Sequence, residues 1–178
     1  MTPETTPDAG RPEAWSLGAL NELPEPEARL ALAACCESEH WISAVLAGRP
    51  YSSQPALAAR SDAAVAAMST DDLRQALAGH PRIGDRRADS AGWSGQEQAG
   101  VPADDAALAQ ALADGNAAYE RRFGHIYLVC ATGRTGAELL ALLRDRLGND
   151  PEQEWAVVAR ELAKINRVRL AKLLGAAS

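Results

Sequence analysis

The chain has 178 residues, the length of one domain, and its 47% hydrophobic and 24% charged residues exclude wholesale disorder. No apolar run approaches the roughly 18 residues that a membrane span needs, and the polar opening MTPETTPDAGRPEA does not read as a secretory signal. A formal net charge of −6 disfavours nucleic acid as a partner, and three cysteines with no CxxC pair exclude a disulfide framework or a cysteine-built zinc site.

Alanine and leucine dominate, while valine, isoleucine and aromatic residues are scarce. Ala and Leu lose least on entering a helix, and strands want β-branched and aromatic side chains. The composition predicts an all-α fold: a single compact helical domain of about seven to nine helices with one short extended segment.

Residues 1–14 read as a flexible tail, followed by one domain over 15–175. Ser16 can cap a short helix holding Leu17 and Leu20, and Pro24 and Pro26 open the next. Apolar spacing predicts one helix from Glu27 to Leu46, stopped by Gly48 and Pro50. A further Ala-rich helix covers Leu57 to Met68. Ser69-Thr70-Asp71-Asp72 then starts a helix through Leu73 and Leu77 that ends at Gly79.

The stretch GHPRIGDRRADSAGW, residues 79–93, has no helical period and reads as a long loop of the kind that carries function. A helix start follows at Ser94-Gly95-Gln96-Glu97-Gln98, and a longer helix runs from about Pro102 to Arg122. The β-like run Phe123–Ala131 has no partner strand and reads as buried extended backbone between helices. Thr135–Leu147 and Glu152–Leu174 are the last two helices, joined by the turn Gly148-Asn149-Asp150-Pro151.

Within this frame His80 is the first candidate for chemistry. Pro81 pushes it out of the helical region, and its imidazole titrates near neutral pH, as general acid–base work requires. The competing reading is a helix C-terminal histidine that serves the last carbonyls. Glu97 has a strong structural alternative, because Ser94-x-x-Glu97 matches the capping box. Arg82, Arg86, Arg87 and Arg134 are candidate cations, with Arg86 and Arg87 reading as solvated surface. Arg169 sits among Ile165, Val168, Leu170 and Leu173, where it either snorkels or points into a pocket to grip a carboxylate. His40, His80 and His125 show no metal-ligand spacing, and Cys130 lies in an apolar run as a small hydrophobe.

These residues fall into ordered blocks. Gly79-His80-Pro81-Arg82-Ile83-Gly84 is followed by Ser94-x-x-Glu97-Gln98-Ala99-Gly100, then by Asn116-x-x-Tyr119-x-x-x-Phe123-Gly124. After them come Tyr127-Leu128-Val129-Cys130-Ala131, Arg146-Leu147-x-Asn149 and Lys164-Ile165-x-x-x-Arg169-Leu170. In this order they resemble the 2-oxo-4-hydroxy-4-carboxy-5-ureidoimidazoline (OHCU) decarboxylases over most of residues 15–175. The HPRIG block with SxxEQ downstream is the specific part. The Thr132-Gly133-Arg134-Thr135 continuation departs from the animal and plant pattern and resembles bacterial members.

The resemblance implies decarboxylation of OHCU to (S)-allantoin and CO2 in uric acid breakdown, with no metal and no organic cofactor. It implies an all-helical fold, a small-molecule ureide substrate and a homodimer. By the same resemblance His80 and Glu97 are catalytic, and Pro81, Ser94 and Gln98 line the substrate pocket. The backbone of Tyr127, Leu128, Val129, Cys130 and Ala131 is expected to hold the ureido and ring amides, and Arg169 to face the pocket. The C-terminal Gly-Ala-Ala-Ser is not a peroxisomal address, so a bacterial cytoplasm is expected. Two readings from other classes stand beside this one: a helical interaction module docking through the HPRIG loop, and a metal-dependent ureide hydrolase.

Overall fold

The computed structural model describes residues 15–84 and 105–175, and among them it contains eight helices and no strand. They are α1 (Leu17–Glu22), α2 (Glu25–Ala33), α3 (Glu39–Leu46), α4 (Gln54–Ala66), α5 (Thr70–Ala78), α6 (Ala106–Phe123), α7 (Gly136–Arg146) and α8 (Pro151–Leu173). Nearly every one starts where a short polar side chain can accept from the first turn. Ser16 caps α1, Ser38 caps α3, Ser53 caps α4, Asp105 caps α6 and Asp150 caps α8. Full capping boxes open α5, with Ser69 and Asp72, and α7, with Thr135 and Glu138. The exception is α2, which Pro24 and Pro26 start without a side-chain cap.

One expected helix is two. The segment Glu27–Leu46 breaks between Ala33 and Glu39, because the Ser38 hydroxyl takes the Trp41 N–H and begins a new helix. Cys35 and Cys36 sink into the core at that break. Apolar spacing carried on through the break, so it gave no sign of a boundary.

Two apolar clusters fill the interior. The larger gathers Leu20, Leu32, Trp41, Val45, Leu57, Leu73, Val158 and Leu162 from α1–α5 and α8. The smaller joins Ile83 to Leu112 and Tyr119 of α6 and to Leu139 and Leu143 of α7. The run from His125 to Ala131 is the seam between them. Tyr127, Val129 and Ala131 enter the smaller cluster, whereas Ile126, Leu128 and Cys130 pack against the larger. This period of two is the signature of extended chain with both faces buried. Gly124, in the left-handed conformation at φ 74°, ends α6 and turns the chain into that run.

A buried polar knot ties the seam to both sides. Arg146 donates through Nε and Nη2 to Oε1 of Glu154 at 2.8 and 2.5 Å, and the Tyr119 hydroxyl donates to the same oxygen. Asn149 Nδ2 occupies the other carboxylate oxygen at 2.7 Å. Burial favours the neutral guanidine, but the Glu154 carboxylate outweighs it and raises the pKa of Arg146. Removing one member of such a pair costs about 3–5 kcal/mol, because the other charge stays buried alone.

Candidate active site

The end of α5 meets the break between α2 and α3 and the last turns of α8 around a cavity of about 280 Å³. Ala33, Ala34, Cys36, Glu37, Gly79, His80 and Arg169 line it. His80 and Arg169, 89 positions apart in sequence (169 − 80), therefore share one wall space.

His80 stands one residue beyond the Gly79 cap of α5, its N–H on the Leu77 carbonyl at 3.0 Å. Its Nδ1 lies 2.8 Å from the Ala76 carbonyl oxygen. A carbonyl only accepts, so Nδ1 carries the hydrogen, and a neutral ring then bears its lone pair on Nε2. The helix-terminal role and the chemical role thus belong to different nitrogens of one ring.

The loop after His80 is pinned on two sides. Arg82 makes a two-pronged pair with Glu120 of α6, at 2.5 and 2.8 Å, and the Ile83 carbonyl accepts from Asn116 Nδ2 at 2.9 Å. Arg82 is thereby a tether, and Pro81 is held half-buried between the tether and the histidine.

Gly79 has φ −86°, which any residue adopts, so its smallness serves space and not backbone freedom. A Cβ there would lie 2.5 Å from the Glu37 carboxyl carbon. The carboxylate folds across the glycine at the rim of the cavity.

Arg169 is only 6% exposed and gives one Nη1–H to the Cys35 carbonyl at 3.2 Å. Of its two sequence readings, snorkelling at the surface is excluded. Beside it, burial pushes the Cys36 thiol pKa up, so this cavity sulfur is a protonated thiol and no ready nucleophile.

Tyr127, Leu128, Val129 and Ala131 are buried and Cys130 is half-buried; none of the five belongs to the cavity lining. Their side chains pack in the core, and burial raises the Tyr127 phenol pKa to about 12. The backbone is engaged on one edge: the Leu128 carbonyl accepts from Arg146 Nη1 at 2.7 Å, and the Cys130 N–H donates to Glu161 Oε2 at 2.9 Å. Burial alone raises the Glu161 carboxyl pKa, but Lys164 and the Cys130 N–H outweigh it and hold it below the usual carboxylate range. Arg134 bonds the Cys130 carbonyl through Nε at 3.2 Å, a local tie at the start of the next turn.

Ser94, Glu97 and Gln98, with Arg86 and Arg87, lie outside the described residues. The three histidines are dispersed: His40 is 4.0 Å from Asp72, His125 stacks on Trp155 at 4.1 Å, and His80 stands in the cavity. Among the described residues no three His, Cys, Asp or Glu side chains form a metal-binding group. Cys36 and Glu37 were not legible as cavity residues, since the spacing placed them inside a continuous helix.

The family model described as OHCU decarboxylase matches residues 21–171. The uric acid degradation bifunctional protein TTL of Arabidopsis thaliana is 35% identical over 145 residues, 78% of this chain and 45% of that protein. The chain thus spans under half the length of this plant relative. The 2-oxo-4-hydroxy-4-carboxy-5-ureidoimidazoline decarboxylase of Amia calva is 31% identical over 139 residues, 74% of this chain and 78% of that one. The fold superposes on a crystal structure of OHCU decarboxylase in the presence of (S)-allantoin, with a TM-score of 0.67 and 31% identity over 80% of this chain and 96% of the other. It also superposes on (S)-allantoin synthase at a TM-score of 0.68 and 22% identity, covering 90% of this chain and 54% of the other, a likeness of fold alone.

Proposed function

The chain belongs to the OHCU decarboxylase family, and from that we propose that it converts OHCU to (S)-allantoin and CO2. The observation that carries the reading is one cavity lined by both His80 and Arg169, the two separated motif residues that the family resemblance assigns to the substrate.

The chemistry asks little of the protein beyond placement. Breaking the bond to the carboxylate sends its electron pair into the adjacent ring C=N unit, and a proton must then arrive on carbon from one face. No water is consumed: the substrate loses CO2 and is otherwise isomerised. Nε2 of His80 takes the proton of the substrate hydroxyl as that carbon becomes a carbonyl and returns it to one face of the neighbouring ring carbon. The ring nitrogen that received the electron pair takes the proton of the lost carboxyl group, and Nδ1 stays on Ala76 so that the ring keeps its orientation. Glu97 is the partner carboxylate, and Ser94, Gln98 and Pro81 shape the pocket. Arg169, buried and presenting a planar fork, meets the substrate's oxygen atoms. The Tyr127–Ala131 backbone supplies alternating donors and acceptors to the ureido and ring amides. No group in this scheme calls for a metal or an organic cofactor.

The proposal extends to a homodimer in a bacterial cytoplasm, supported by the family resemblance. No helix among the described residues is long and apolar enough to cross a membrane.

Purified protein given freshly made OHCU, with chelator present, is the test. Accelerated formation of the (S) enantiomer of allantoin, followed by circular dichroism, reports activity and stereochemistry together, and accelerated formation of the opposite hand would overturn the stereochemical part of the reading. Racemic product at the spontaneous rate would remove the assignment, and activity lost to the chelator would favour the metal-dependent hydrolase.

A further inference from the structure

The run from His125 to Ala131 must satisfy its backbone without a neighbouring strand, and it does so unevenly. The Leu128 carbonyl is taken by Arg146, the Cys130 N–H by Glu161 and the Cys130 carbonyl by Arg134. In extended chain the N–H and C=O of alternate residues leave on the same edge. Residues 128 and 130 therefore share one edge, and three of its four backbone groups, all but the Leu128 N–H, are taken by side chains from α7, α8 and the turn between the run and α7. The groups of Tyr127 and Val129 leave on the opposite edge. Among the described residues no hydrogen bond engages the backbone of either.

Both residues are buried, at 1% and 4% exposure. Buried backbone groups are costly without partners, so an edge left open inside a protein asks for a ligand with complementary donors and acceptors. The clamps on the other edge are built to stay still. Arg146 is locked by Glu154 and Tyr119, and Glu161, buried on α8, keeps Oε2 on the Cys130 N–H while its other oxygen accepts from the outlying Lys164 at 2.5 Å. Glu161 also stands on α8 eight residues before Arg169 (169 − 161), about 12 Å along the axis, so one helix holds both the clamp and the cavity cation.

We propose that Glu161 and Arg146 are positioning residues for ligand binding: by gripping residues 128 and 130 they present the Tyr127 and Val129 backbone edge to the amide groups of a ureide, resting on the assignment of that run to the substrate. Neither side chain touches the ligand. They act by pre-organising the edge, which lowers the ordering cost of binding.

Glu161 gives the cleaner test, since Arg146 also belongs to the core ion pair. Glu161→Ala removes the acceptor for the Cys130 N–H, Glu161→Gln keeps an oxygen there, and Lys164→Met keeps the clamp while removing its cation. The readouts are KM and kcat with OHCU, the Kd of (S)-allantoin by calorimetry, and Tm. Glu161→Ala is expected to raise KM and Kd about tenfold with kcat within about twofold, and the other two variants to stay within about twofold of wild type throughout. A purely structural Glu161 would lower Tm and leave KM and Kd unchanged, and that result overturns the proposal. Equal impairment of Glu161→Gln also overturns it, because charge and not the hydrogen bond would then matter. If Glu161→Ala does not fold, Glu161→Asp, which draws the oxygen back by one methylene, carries the same expectation. Failure of the wild-type chain to accelerate the reaction would strike the functional assignment itself, separately from the clamp.

Discussion

Nδ1 of His80 lies 2.8 Å from the carbonyl oxygen of Ala76, so the last turn of α5 sets the tautomer of the ring that lines the cavity. The contact does two jobs. It satisfies one of the helix's terminal carbonyls, and it leaves the proton-accepting lone pair of the neutral ring on Nε2.

Replacing the ring should therefore remove proton transfer while sparing the fold. His80→Ala is expected to lower kcat by about 10²–10⁴, the usual worth of a general acid–base group, with helical content unchanged by far-ultraviolet circular dichroism. His80→Asn should not rescue it, since an amide holds position but does not exchange the proton. A kcat within tenfold of wild type, a barrier change below about 1.4 kcal/mol, would take His80 out of that role.

Glu97 poses a choice between capping and chemistry that one substitution separates. Glutamine completes a capping box as well as glutamate does, so Glu97→Gln should leave Tm nearly unchanged. If the carboxylate takes part in catalysis, the same variant loses turnover. Normal kcat in Glu97→Gln would return this residue to the helix start.

Arg169 distinguishes charge from shape. Lysine keeps the cation but loses the planar fork and the second donor nitrogen, and it would have to reach the cavity while abandoning the Cys35 carbonyl. Arg169→Lys is expected to lower kcat/KM by about tenfold or more, with KM and kcat both affected. Steady-state kinetics check this, and an unchanged kcat/KM would mean that Arg169 only fills its wall.

A pH effect follows from His125. Burial holds its imidazole below the ordinary histidine value, against smaller opposing effects from the Ile126 carbonyl and Glu154, with Arg146 and Arg74 adding to the depression. Its ring packs on Trp155, over which Arg74 also lies, and against Tyr119 and Phe123. A depressed folded-state value means that the unfolded chain binds the proton more readily. Stability is then complete above the unfolded value of 6.5 and falls as pH drops through the folded one. The depressed carboxylates, Glu161 among them, add their loss only at lower pH. Tm should fall as pH drops below 6.5, and His125→Phe should flatten that slope while keeping an aromatic ring in the stack. An equal slope in the variant would assign the dependence to other groups.

Much of the fold was legible because local chemistry dictates it. Ser16 and Ser69 cap where the sequence placed them and Gly79 stops its helix, and the β-like run expected over Phe123–Ala131 is extended only past Gly124, because Phe123 is the last residue of α6 and Gly124 its left-handed cap. The helix break at Ala34–Ser38 was not legible, since apolar periodicity runs straight through it. That miss hid Cys36 and Glu37 as cavity residues.

The sequence by itself determined the helical class, the capped helix starts at Ser16 and Ser69 and the identity of the motif residues, because a cap depends only on neighbours within about four positions. Only the tertiary structure decided that His80 and Arg169 share a cavity, that Arg82 is a tether to Glu120, and that Arg146 and Glu161 grip one edge of the extended run. Those relationships join residues 18 to 89 positions apart, as the differences 146 − 128 and 169 − 80 state. They arise from the packing of two apolar clusters against one seam, and helical periodicity carries no information about which distant partner a buried polar group will meet.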